Sequence, residues 1–247
     1  MLIAPAFLAG ALVLSIHVPL GQEVLKRGII FIDLAIAQIA ALGVIAATVY
    51  SGDLTTWEIQ LFAGLSALSG ALLIHWLERH YNQTLEALIG LLFVLAASGA
   101  LLLASYAPHS EELLHNLLIG QILWVNYEQL AWVSLLYLPL LLTWFLLRKH
   151  QYPMLFYFIF ALAITVSVQL IGIYLVFASL ILPALATHTM NHRKPALILA
   201  YLTGLLAYAI GLLASIALDL PTGAVITWSL FLVAFFVRSG IKQYIKN

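Results

Sequence analysis

The side chains in this sequence that could do chemistry are few, and most stand among lipid-soluble neighbours. Asp33 and Gln38 fall inside one apolar run, RGIIFIDLAIAQIAALG. An ionised carboxylate at membrane depth is costly, so it should face a cavity, a cation or a partner. Arg27, six residues earlier, is one candidate partner. Glu86, in TLEALIG, opens a further apolar run, where negative charge suits the positive end of a helix dipole, and it reads as a cap. His17 and Gln169 read as hydrogen-bonding groups between helices. His109, Glu111, Glu112 and His115 crowd a single connection, HSEELLHNLLIGQILWV. If that connection is helical, Glu111 and His115 share a face at i and i+4, a geometry that can hold a borderline divalent ion. A solvated loop would have the same composition.

Enzymatic motifs are missing. There is no H-E-x-x-H, and His109 and His115 have the wrong spacing for one. No lysine follows a glycine, so the phosphate-binding loop G-x-x-x-x-G-K-[ST] is absent and ATP is not hydrolysed here by that route. An intramembrane serine protease would need a histidine base inside a late span, and none lies there. The chain has no cysteine, hence no disulfide and no thiolate metal site.

The elements that position these residues are membrane spans. Of the 247 residues 64% are hydrophobic and 8% charged, and mean hydropathy is +1.08. Soluble domains carry roughly 25% charged residues. The apolar runs are long rather than alternating, which indicates helices and not a barrel. The expected fold is an all-α integral membrane protein, residues 1–247 forming a single membrane domain. Nine spans are expected, with eight to nine the range: about 3–21, 28–50, 58–77, 85–106, 128–147, 153–171, 173–187, 195–217 and 221–238. The N-terminal run has no basic residue before Lys26, so it reads as the first span and not as a cleaved leader.

Lysine and arginine orient the spans. All ten fall in alternate connections or in the C-terminal tail: Lys26, Arg27, Arg79, Arg148, Lys149, Arg193, Lys194, Arg238, Lys242 and Lys246. The opposite connections hold Asp53, Glu58, Glu111, Glu112, Glu128 and Asp219 and no cation. The N-terminus is therefore expected outside and the C-terminus in the cytoplasm. GIYLVFASLILPALATHTMNHRK, from Gly172 to Lys194, is the other distinctive stretch. It is short for a span, and Pro183 lacks a donor and crowds the preceding turn. The expectation is a helix that breaks near Pro183 and leaves about 184–194 at the cytoplasmic surface.

Four pieces of the chain resemble the membrane subunit of the ATP-binding-cassette importers that take up zinc, manganese or iron. They are Arg27 to Gly43, EALIG at 86–90, LLIGQIL at 117–123, and the Gly172 to Thr187 segment with its Pro-Ala-x-x-Ala pattern, here Pro183, Ala184 and Thr187. Their order along the chain matches, and together they cover most of residues 20–190. The chain departs from the family in two places. The family's second helix carries Asp and His four residues apart. Counted from Arg27, Asp33 matches and Ala37 takes the histidine's place; counted back from Gly43, Gln38 takes it and Leu34 the aspartate's. The family's longer connection is also shortened here, to the stretch from Arg148 to Pro153.

The resemblance implies a permease and not an enzyme, with no cofactor on this chain and no dealings with nucleic acid. It implies a homodimer in the bacterial cytoplasmic membrane, with the pathway between subunits. Two copies of a separate ATPase would bind the ATP, and an extracytoplasmic metal-binding protein would deliver the ion, zinc first and manganese second. The segment after Pro183 would be the coupling helix, touching the ATPase through Ala184, Ala186, Thr187, Asn191 and Arg193. Asp33 and Gln38 would touch the ion, and Glu111 and His115, on their spacing alone, are a second candidate metal contact. The rivals are a permease for a metal chelate such as a siderophore or vitamin B12, an ion-gradient-driven carrier, and a non-transporting scaffold.

Overall fold

The structure, a computed structural model, describes residues 3–51, 55–106, 122–147, 153–190 and 192–246. Among them the regular elements are helices: α1 (Ile3–Arg27), α2 (Ile32–Ser51), α3 (Thr56–His80), α4 (Leu85–Ala104), α5 (Tyr127–Leu147), α6 (Pro153–Ile171), α7 (Ile173–Thr187), α8 (Arg193–Leu218) and α9 (Thr222–Lys246). Short 3-10 turns precede α4 and α5. Among the described residues eight helices are long and apolar enough to cross a membrane, and α7 is a shorter apolar one. With 15 residues it measures about 22 Å, short of a hydrocarbon core of about 30 Å. Helices are the natural outcome, because in lipid each backbone donor and acceptor must be satisfied within its own segment.

The chain forms two compact units, divided within α5 beside Pro139. The first holds α1, the start of α5, α7, α8 and α9. Here α7 packs on α1, α8 and α9, and α1 also packs on α8. Its core is closed by Tyr208, whose hydroxyl lies 2.7 Å from the Ser179 hydroxyl, which in turn donates to the Leu175 carbonyl. Gly21 lets α1 lie directly on the α7 backbone at Leu180; a Cβ there would run into the Leu180 carbonyl and stand 3.3 Å from the Ala184 methyl. The α8–α9 turn closes on Asp219, in the left-handed conformation, ahead of Pro221.

In the second unit α2 packs against both α3 and α4. At the head of α3, Thr55 and Glu58 form a reciprocal capping box. Gln60 of α3 donates its amide to Gln169 of α6, so Gln169 is the interhelical hydrogen-bonder expected from its apolar surroundings. Further along, the His75 and Tyr157 rings lie 5.1 Å apart between the same two helices.

Two expectations are corrected. Pro183 does not break its helix: α7 runs through it to Thr187, and the interruption falls at Gly172, where φ is +81°. A proline removes one donor and crowds one turn, which membrane helices tolerate when neighbouring helices pack around them. Pro183 is buried in such packing, whereas a backbone at φ +81° suits only glycine. Nor do residues 184–194 form one surface helix. Ala184 to Thr187 are the last turn of α7, His188 and Thr189 form a turn, and Arg193 begins α8.

Candidate ion path and coupling segment

Asp33 stands in the first turn of α2 and is 1% exposed. Neither of its carboxylate oxygens makes a well-formed hydrogen bond among the described residues, though the N–H groups of Leu34 and of Asp33 itself lie beside them at the open end of the helix. Arg27, one candidate partner, pairs with Glu23 one turn back in its own helix, at 3.1 Å. Glu86, in the first turn of α4, does cap a helix, but the hydrogen bond closes α2: its Oε1 accepts the Phe31 N–H at 3.1 Å. Its other oxygen, Oε2, is buried and without a partner among the described residues. The Phe31 bond brings the Glu86 carboxylate to the first turn of α2, on a backbone N–H two residues before Asp33. This pairing could not be read from EALIG alone, since nothing in five residues says which backbone will come within reach.

Gln38 is buried on α2 too, but five residues from Asp33 it points about 140° away around the axis. The two do not share a face. Ala37, four residues on, does share Asp33's face, and it offers only a buried methyl. His17 is buried in the middle of α1. Glu111, His115 and Asn191 lie outside the described residues. Among the described residues no group of three or more His, Asp or Glu side chains gathers as a metal site would need.

At the end of α7 the expected coupling residues divide by exposure. Ala184, Ala186 and Thr187 are buried, so their small size serves the packing of α7 within its own unit. His188, Thr189, His192, Arg193, Lys194 and Pro195 are exposed. Sequence reasoning missed what fastens this end. A helix leaves its last carbonyls without intrahelical donors. Here the Leu185 carbonyl, which accepts the His188 N–H at 3.4 Å, also takes the Arg238 guanidinium of α9 at 3.2 Å. A second missed contact lies in α1, where Pro19 supplies no N–H to the Ser15 carbonyl. The Tyr201 hydroxyl of α8 donates to that oxygen at 2.8 Å.

A run of membrane-length helices, one of them carrying a deeply buried carboxylate, has the construction of a multi-pass membrane protein. The family is more specific: the chain belongs to the ABC 3 transport family, whose model matches residues 1–156 and 147–241. It is therefore a transport component of the inner membrane and not an enzyme. It is similar to the manganese transport system membrane protein MntC of Halalkalibacterium halodurans, 27% identical over 88% of this chain and 80% of that protein. Among solved structures, PsaBC from Streptococcus pneumoniae in complex with Fab shares the fold. Its TM-score is 0.71 at 19% identity, over 96% of this chain and 91% of that one. An inward-facing metal-chelate type ABC transporter also shares it, with TM-score 0.63 at 20% identity, over 94% and 85%.

Proposed function

We propose that this chain moves a divalent transition metal ion into the cytoplasm, residues 1–247 acting as one permease domain. It works as a homodimer with two copies of a separate ATP-hydrolysing subunit and an extracytoplasmic metal-binding protein. The observation that carries the ion reading is Asp33, a carboxylate 1% exposed at the head of a membrane helix, with neither oxygen in a well-formed hydrogen bond among the described residues. Such a group is relieved by a cation or a proton. Family membership supports ATP over an ion gradient as the source of energy, and transport over a scaffold role. Manganese is preferred and zinc placed second, because oxygen ligands without imidazole or thiolate suit the harder ion. The manganese relative points the same way.

The chain lies with its N-terminus outside, following its lysines and arginines. In that orientation the end of α7 and the start of α8 face the ATPase. The docking surface comprises His188, Thr189, His192, Arg193 and Lys194, with Asn191 between them, while Ala184, Ala186 and Thr187 set its position from within. Reconstitution tests this reading: the permease, its co-purifying ATPase and the binding protein in liposomes should take up Mn2+ on addition of ATP. Asp33→Asn should leave the complex assembled and reduce uptake to a small fraction. Normal uptake by that variant would remove Asp33 from the ion path, and failed assembly would make it structural.

A further inference from the structure

We infer that Asp33 and Glu86 form a two-carboxylate cation site at the head of α2, in which Glu86 gives the second ligand expected of Gln38. The inference rests on the reading that the chain carries a divalent ion, and it names who holds that ion. Helix geometry removes Gln38, about 140° around the axis from Asp33. The methyl of Ala37, on Asp33's own face, supplies no donor atom.

Glu86 is brought in from α4 instead. Its Oε1 is anchored on the Phe31 N–H, two residues before Asp33, and this fixes the carboxylate beside the first turn of α2. Three buried carboxylate oxygens then remain without a hydrogen-bond partner among the described residues: Asp33 Oδ1, Asp33 Oδ2 and Glu86 Oε2. Buried polar atoms are ordinarily paired, and the backbone N–H groups beside these oxygens, those of Asp33, Leu34 and Ile30, form no full hydrogen bond with them, which leaves room for a ligand. The N-terminal ends of α2 and α4 each contribute about half a positive charge, which offsets roughly half of the two negative charges. The remainder suits a small divalent cation.

All the donors are oxygens, which selects a hard ion such as Mn2+ over one that seeks nitrogen or sulfur. With so few protein ligands, water completes the coordination and the ion is readily given up. A site of this kind serves passage and not storage.

The experiment is a titration of the purified permease–ATPase complex in lipid nanodiscs with Mn2+ alone, read by loss of the free-ion electron paramagnetic resonance signal. Glu86→Gln is the informative variant. Its amide oxygen can still accept the Phe31 N–H, so the cap and the melting temperature should survive while the charge is lost. We expect Mn2+ affinity to fall about tenfold or more in Glu86→Gln and in Asp33→Asn, as loss of a charged ligand implies, and to stay unchanged in Gln38→Ala. If Glu86→Gln binds Mn2+ as the parent does while Asp33→Asn does not, Glu86 is only a cap and the inference fails, the Asp33 reading standing. If both variants bind normally, that reading fails as well. Should Glu86→Gln not fold, the parent complex decides: bound Mn2+ without imidazole nitrogen coupling supports the site. Nitrogen coupling, or no bound Mn2+, overturns it.

Discussion

The pairing of Pro19 with Tyr201 makes a prediction that can be worked through. Proline at position 19 leaves the Ser15 carbonyl without its helical donor. The Tyr201 hydroxyl, 2.8 Å away, supplies one from another helix. Tyr201→Phe removes a single oxygen and keeps the ring. An unsatisfied buried acceptor costs about 1–3 kcal/mol in soluble proteins. Hydrogen bonds between membrane helices average only about 0.6 kcal/mol, reaching about 1.7. The Ser15–Tyr201 contact is part-buried, so we expect a loss of about 1 kcal/mol, between these two scales. Pro19→Ala restores the N–H, and Tyr201→Phe made in that background should cost little or nothing. The measurement is a double-mutant cycle by reversible unfolding in mixed micelles. A coupling energy near the full cost of Tyr201→Phe is the expected result. An equal cost in both backgrounds would refute the reasoning, because the hydroxyl would then be doing something other than replacing the missing donor.

Two further predictions concern packing and orientation. Ala186→Trp forces a large side chain into the buried face of α7, and overpacking by even a few carbons costs about 1–3 kcal/mol; the variant should therefore yield much less folded protein, measured by monodisperse recovery from detergent, and full recovery would place Ala186 on a free surface. Cysteines placed at Asp53 or Asp219 should react with an impermeant thiol reagent added outside cells and one at Lys149 should not, because basic residues favour the cytoplasmic side; the opposite pattern would reverse the orientation and move the ATPase-docking surface to the wrong face.

Much of this protein was legible in the order of its residues, for a physical reason. In hydrocarbon a segment has to satisfy its own backbone, so long apolar runs become helices, and the nine expected spans correspond one for one with α1 to α9. The four motif pieces carried the family for a similar reason, being local in the chain. Contacts between distant residues were not legible. That Glu86 is a cap followed from its place at a helix start; that it caps α2 depended on α4 coming to rest beside Phe31. Ala184, Ala186 and Thr187 could have been small in order to fit a partner's groove or to fit their own unit, and composition is the same in both cases. Only the packing of α7 against α1, α8 and α9 decided for the second. Pro183 broke a helix on local rules and did not break it in the fold, because tertiary contacts outweigh the loss of one backbone hydrogen bond. The same rule read the other way explains Tyr201: Pro19 announced a missing donor, and the packing of α8 on α1 determined which side chain would supply it.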